Sequence, residues 1–141
     1  MKEITKVVVD AMGGDNAPHE IIKGAVEAVG KSDAIHVILV GKEDVINQEL
    51  SGYTYNKEQI SVVHTSEVIE TAEPPVMAIR RKKDSSIVVG LKMVKDKEAD
   101  IPMKGLMQTA SFMRAILDKE AYGFVPDGSQ LSQATVMEYQ G

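Results

Sequence analysis

Cysteine is absent from the 141 residues, which removes a disulfide framework, a thiolate zinc site and a cysteine nucleophile together. Tryptophan is absent too, and two Phe with four Tyr are too few to build a stacking surface for bases or sugars. Positive charge is in deficit. Sixteen Lys and Arg against 21 Asp and Glu leave a net charge of -5 and a pI near 5.2. General nucleic-acid affinity needs a surplus of cations to displace counterions from phosphates, so it is excluded, and any anion site must be local. Long apolar runs are also missing: Lys2, Glu3 and Lys6 precede only Val7, Val8 and Val9, too short for a signal-peptide core or a bilayer span. A cytoplasmic protein is expected. Walker A, GxGxxG, GxSxG and Ser-His-Asp patterns are lacking, and His19, His36 and His64 have no metal-ligand spacing, so no metal and no cofactor is expected.

What is present suits an ordinary globular protein: 43% hydrophobic and 26% charged residues, with length enough for one domain, 1–141, but not two. Residues 4–9 and 35–40 are β-branched runs that read as strands of a parallel sheet buried on both faces. Between them Pro18, Glu20 and the apolar set Ile21, Ile22, Ala25, Val26 and Val29 predict a helix that Gly30 ends. A second helix is predicted over 42–50, stopped by Ser51 and Gly52, and a third strand over 60–64. Residues 65–75 read as an irregular, exposed connection, long enough to mark as functional or mobile. A short helix over 76–81 follows, then a longer one over 85–97 with Asp84 or Ser85 as cap, a short strand over 99–103, a helix over 109–119 and a last strand over 131–139. The fold class is α/β: a doubly wound, mostly parallel sheet with helices on both faces.

In such sheets ligands bind at the carboxyl ends of the strands, where four polar corners fall: 10–16, 41–43, 64–67 and 104–109. In the first, Gly13 and Gly14 let backbone approach a ligand beside a helix start, yet Asp10 and Asp15 repel a bare dianion. A capped turn and a ligand corner both stay open. In the fourth, Lys104, Gly105, Gln108, Thr109 and Ser111 bring a cation, flexible backbone and hydroxyls to a helix mouth, a better anion site, with a plain turn as the alternative. The basic run Arg80, Arg81, Lys82, Lys83 suits an acidic partner or cofactor phosphates, or is a solvated helix end. His36 reads as a core histidine, and His64, at a strand end, as an acid/base candidate.

VVVDAMGGDNAPHEIIKGA at the start, with HTSEVIETAEPPVMAIRRKKDSSIVVGLKMVKDKEAD from His64 to Asp100, resembles the phosphate acyltransferase family of bacterial phospholipid synthesis. After Asp100, IPMKGLMQTASFMRAILDKEAYG is similar instead to the ADxxMKGxxxTxxxxRAxLDKE motif of phosphate butyryltransferases and acetyltransferases. LSQATVMEY is similar to their LSHVAVFE, with Gln133 where a His is usual. The chain reads as a mosaic of two related families that share one fold, which is isocitrate/isopropylmalate dehydrogenase-like. Those families are longer and two-lobed, so the resemblance implies one half of that fold.

The implied reaction is acyl transfer from a thioester to inorganic phosphate, giving an acyl phosphate and needing no cofactor. The thioester is carried by acyl carrier protein in the first family and by coenzyme A in the second. By resemblance Lys104 and Asp10 are the catalytic candidates. Gly105, Thr109 and Ser111 join Gly13, Gly14, Asp15 and Asn16 around phosphate, and Arg80, Arg81, Lys82 and Lys83 meet the carrier protein or coenzyme A. A non-catalytic module binding the same ligands is the alternative. A homodimer is expected by resemblance, with Met103, Leu106, Met107 and Met113 as an adaptable apolar cluster for a contact. Peripheral membrane attachment goes with the phospholipid enzyme, and no amphipathic helix in this sequence supports it.

Overall fold

Three β-branched runs and one short apolar stretch become four parallel strands in the computed structural model, which describes residues 3–139 except 71, 106–108, 119–122 and 133. They are β1 (Thr5–Asp10), β2 (Ile35–Gly41), β3 (Ile60–His64) and β4 (Ile101–Met103), in the order β3-β2-β1-β4. The register is continuous across the centre: Val8 lies opposite Ile38, Val9 opposite Leu39 and Asp10 opposite Val40. Because the chain adds strands first to one side of β1 and then to the other, its right-handed crossovers put helices on both faces.

The alternation of side chains along β1 sorts the core into two layers. Val9, with Leu39, packs under α1 (His19–Lys31) and α2 (Glu43–Leu50), where Ile22, Val29 and Ile46 are buried. Val8, with Ile38, Val40 and Ala99, faces α4 (Ser86–Lys95), whose Gly90 lets a Val8 methyl come within 3.5 Å of where a β-carbon would stand. Full burial of residues such as Ile22, Leu39, Ile46 and Leu91 contributes about 1.5–3 kcal/mol each. A third cluster joins α3 (Pro75–Arg81), α4 and α5 (Thr109–Leu117) through Ile79, Ile87, Val88, Leu91 and Ala115.

Four expectations are corrected. Gly30 does not end α1, which runs to Lys31; the Ser32 N–H closes it on the Ala28 carbonyl. The helix predicted over 85–97 stops at Lys95, because Lys97 turns into the left-handed region (φ 62°) and the Glu98 N–H returns to the Met93 carbonyl. His36 is half-buried at the amino edge, its Nε2 2.6 Å from Ser61 Oγ, so it is no core histidine. The described residues of 131–139 form no strand, and Val136 is 96% exposed: alternation makes a strand only where a neighbour takes up its N–H and C=O groups.

Candidate functional site

β1 delivers Asp10 to the carboxyl edge of the sheet, and β4 delivers Lys104 and Gly105 beside it. The two corners touch through glycine backbone. A β-carbon on Gly105 would stand 2.5 Å from the Gly13 carbonyl oxygen and 2.7 Å from Gly13 Cα, and one on Gly13 would stand 2.7 Å from Asp10 Oδ2. A larger residue at Gly105 must force the corners apart, and one at Gly13 must displace the Asp10 carboxylate. Gly14 follows with φ 123°, a conformation that side chains strain against. Met12 lies over the end of β2, where a Gly41 β-carbon would fall 2.6 Å from its Cγ.

Asp10 is only 7% exposed. Its Oδ1 accepts a short hydrogen bond from the Ser86 hydroxyl and another from the Met12 N–H at 3.0 Å. Burial pushes the carboxyl above the usual aspartate range, while the bonds from Ser86, Met12 and the Gly13 N–H oppose that push. The carboxyl therefore fixes the shape of the corner from beneath. It also ties β1 to the first turn of α4, since Ser86 is the first residue of that helix.

Sequence reasoning missed Ser86; Asp84-Ser85-Ser86 carried only a capping signal, and its long-range partner, 76 residues away, leaves no local trace. Ser85, the N-cap, makes no side-chain cap bond, and its hydroxyl and that of Thr65 are both fully buried without a hydrogen-bond partner. His64, expected as an acid/base group, is used at Nδ1 to accept the Glu43 N–H at 3.1 Å, capping α2.

The basic run divides. Arg80, Arg81 and Lys83 are exposed, whereas Lys82 turns inward, donating to the Val68 carbonyl at 2.6 Å and pairing with Glu73. Lys82 thus holds the 65–75 connection, while its three basic neighbours reach no such anchor among the described residues of that segment. That connection is irregular but fastened: Asp84 Oδ2 accepts the Ser66 N–H at 2.8 Å and its hydroxyl at 2.5 Å, and the Glu67 N–H reaches the Asp84 carbonyl at 3.1 Å. Arg80 also lines a small hollow of about 200 Å³ with Arg114 and Asp118, between α3 and α5.

The remaining predicted residues are less gathered. Asp15 is exposed and Asn16 lies with it in the turn after Gly14, the Asn16 carbonyl accepting the Glu20 N–H at the start of α1. Thr109 stands exposed at the start of α5, a helix packed on α3. Gln108, Leu106, Met107, Gln133 and the side chain of Ser111 lie outside the described residues. Met103 is 56% exposed on β4, while Met113 is half-buried on α5. Among the described residues no group of three or more His, Cys, Asp or Glu is placed to hold a metal, and no helix is long and apolar enough to cross a membrane.

A groove of about 380 Å³ opens from this edge between α1, β1 and β4. Its one polar end is formed by Asp10, Glu20, Lys104 and Gly105. A cation beside a sterically tight glycine contact and a buried carboxyl can position an oxyanion, while the apolar walls shield it from water.

The family described as "Fatty acid synthesis protein" matches residues 5–127, including the segment after Asp100. The phosphate acyltransferase of Clostridium novyi is 54% identical over 95 residues, and that of Alkaliphilus oremlandii 58% over 95, each alignment covering 67% of this chain. These alignments take in 29% and 28% of the relatives' own lengths, so the chain spans under a third of the curated relatives it matches. Among solved structures, a phosphotransacetylase from Streptococcus pyogenes superposes with a TM-score of 0.54 at 16% identity, over 81% of this chain and 37% of that one. The EutD phosphotransacetylase from Staphylococcus aureus gives 0.54 at 15%, over 91% and 40%. At these identities the likeness is one of fold, and it bears out the α/β class.

Proposed function

We propose, from the premise that this chain belongs to the fatty acid synthesis protein family, that it carries the phosphate-binding part of an acyl-thioester:phosphate acyltransferase cleft. A phosphate oxygen attacks the thioester carbonyl, the C–O bond forms as the C–S bond breaks, and the thiolate leaves and takes up a proton. The products are an acyl phosphate and a free thiol. The observation that carries this reading is the contact of the Gly13 and Gly105 backbones, which brings Lys104 and Asp10 to one edge of the sheet.

Lys104 neutralises the attacking phosphate and the oxyanion that develops on the carbonyl. Gly13 and Gly105 keep the floor low enough for the anion to sit against backbone. Asp10, through Met12 and Gly13, holds that floor in place. Gly14, Asp15, Asn16 and Thr109 border the phosphate, and the exposed Arg80, Arg81 and Lys83 receive the donor. The donor is the thioester of acyl carrier protein, as in phospholipid synthesis, with a coenzyme A thioester as the runner-up. The setting is the cytoplasm, and the working unit is a homodimer.

A second reading is a module that binds phosphate and thioester without turnover. Thiol release from acyl carrier protein and coenzyme A thioesters, with and without phosphate, separates the two. Phosphate-dependent release that falls about 100-fold or more in Lys104→Ala is expected for the enzyme. Phosphate binding without release, in folded protein, selects the module, and neither binding nor release overturns both.

A further inference from the structure

Three consecutive polar residues, Asp84, Ser85 and Ser86, precede the apolar stripe of α4, and the last sends its hydroxyl across the molecule to Asp10. Capping does not explain it. Ser85 is the N-cap and Ser86 the first helical residue, a place where alanine would serve the helix as well or better. The Ser86 side chain is 4% exposed, so its hydroxyl is kept for the carboxyl it meets. We propose that Ser86 is a positioning residue of the acyl-transfer site: it fixes Asp10 so that Oδ2, and not Oδ1, relays the proton of the reaction. The inference rests on the acyl-transfer reading above and adds to it the route by which the leaving sulfur is protonated.

The two carboxyl oxygens are not equivalent. Oδ1 accepts the Ser86 hydroxyl from α4 and the Met12 N–H at 3.0 Å from its own turn, so its lone pairs are taken. Oδ2 lies on the glycine side: the point where a Gly13 β-carbon would stand is 2.7 Å from it and 3.1 Å from Gly105 Cα. A glycine at 13 leaves that oxygen uncovered. A proton on the carboxyl therefore belongs on Oδ2, at the corner that Lys104 shares.

Burial favours the protonated form, and the bonds from Ser86 and Met12 stabilise the carboxylate that remains when the proton has left. Both states are thus provided for. The other charges at this end of the groove are Glu20 from α1 and Lys104 after β4. The first turn of α4 carries none, and Asp84 before it is bonded to Ser66. On the remaining sides β2 ends in Gly41, His64 at the end of β3 accepts the Glu43 N–H, and Asp15 in the turn is exposed.

The step balances. An oxygen of hydrogen phosphate attacks the thioester carbonyl, the C–O bond forms as the C–S bond breaks, and the sulfur leaves with the electron pair and takes the proton from Oδ2. The hydroxyl proton still on the transferred phosphate then passes to Oδ2, so Asp10 ends as it began. An alkyl thiol is a weak acid, of pKa about 8.5, so its thiolate gains from a proton donor at neutral pH. Without Ser86 the carboxyl can turn about its Cβ–Cγ bond, and the proton is no longer held on the side of the reaction.

The test compares the full chain with Ser86→Ala and with Ser86→Thr, which keeps the hydroxyl; circular dichroism checks the fold of each. Carbon-13 NMR follows the Asp10 carboxyl, assigned by its loss in Asp10→Asn. Phosphate-dependent release is measured from the butyryl thioesters of acyl carrier protein, coenzyme A and thiophenol, over phosphate concentration and pH. Ser86→Ala is expected to raise the Asp10 titration further, because a bond to the carboxylate is gone, and Ser86→Thr to return it towards wild type. With the two alkyl thioesters kcat falls about tenfold or more in Ser86→Ala at an unchanged KM for phosphate, and the alkaline loss of rate moves upward with the Asp10 titration. Thiophenol is the more acidic thiol and leaves without a proton, so there the deficit narrows to about threefold or less.

An Asp10 titration unmoved in Ser86→Ala, or an equal loss with alkyl and aryl thioesters, overturns the positioning role and leaves the acyl-transfer reading standing. If wild type gives no phosphate-dependent release from any of the three, the acyl-transfer reading and the relay fall together.

Discussion

Asp10 and Asp84 each take a hydrogen bond from a serine hydroxyl and another from a backbone N–H, yet they are tuned in opposite directions. At Asp10 burial dominates and raises the carboxyl above its ordinary range. At Asp84, on the surface, the bonds from Ser66 dominate and lower it. Local chemistry is the same, so the difference lies in what the fold does around each acid. Asp84 is a staple: its charge strengthens two bonds that hold the start of the 65–75 connection. Asp10 is a charge that folding pushes out of water. A polar residue kept where it costs stability is a mark of a functional corner.

The comparison breaks first at Gly105. Gly105→Val places a β-carbon where the Gly13 carbonyl stands, so the β4 corner must lift away, at a cost of about 1–3 kcal/mol in a denaturant melt. Lifting it admits water to Asp10, whose carboxyl, followed by NMR, is expected to relax towards the ordinary value and become more like Asp84. An unmoved Asp10 titration would show that Gly105 plays no part in burying it.

Asp10→Asn comes next. The amide oxygen still accepts the Met12 N–H, while the buried charge is gone, so stability at neutral pH is expected to rise by on the order of 1 kcal/mol. Linkage fixes the sign with pH. A raised folded pKa means that the folded state binds the extra proton, so wild type loses this contribution as pH climbs from the ordinary aspartate value through the raised one. Asp10→Asn should lack that decline, and should lose phosphate-dependent thiol release if the corner is catalytic. A variant both less stable and fully active would reverse the reading of Asp10.

The parallel sheet was legible because β1, β2 and β3 each centre on a short apolar, largely β-branched run, at 7–9, 37–40 and 62–63. The first and fourth corners were legible as glycines beside polar residues at strand ends. Their contact was not, since nothing near Gly13 in sequence shows that Gly105 leans on it. Ser86 was hidden for the same reason, and Lys82 looked like its basic neighbours until the fold brought Glu73 and Val68 beneath it. The false strand over 131–139 is the converse: its alternation is real, but pairing is a property of the neighbour and not of the segment.

Asp84→Asn gives the smallest effect and the sharpest sign. Its folded pKa is lowered, so wild type holds this contribution above the ordinary aspartate value and loses it as pH falls through the lowered one, a window on the acid side. Glu73, lowered chiefly by Lys82, acts in the same direction. Denaturant melts across that window should show a shallower acid-side loss in Asp84→Asn than in wild type, and no change in the decline assigned to Asp10 at higher pH. Hydrogen exchange at the Ser66 and Glu67 amides should quicken, because a neutral amide oxygen binds the Ser66 N–H less strongly than a carboxylate does. If exchange there is unchanged while the acid-side slope flattens, the charge of Asp84 matters to the protein as a whole and not to the connection it touches.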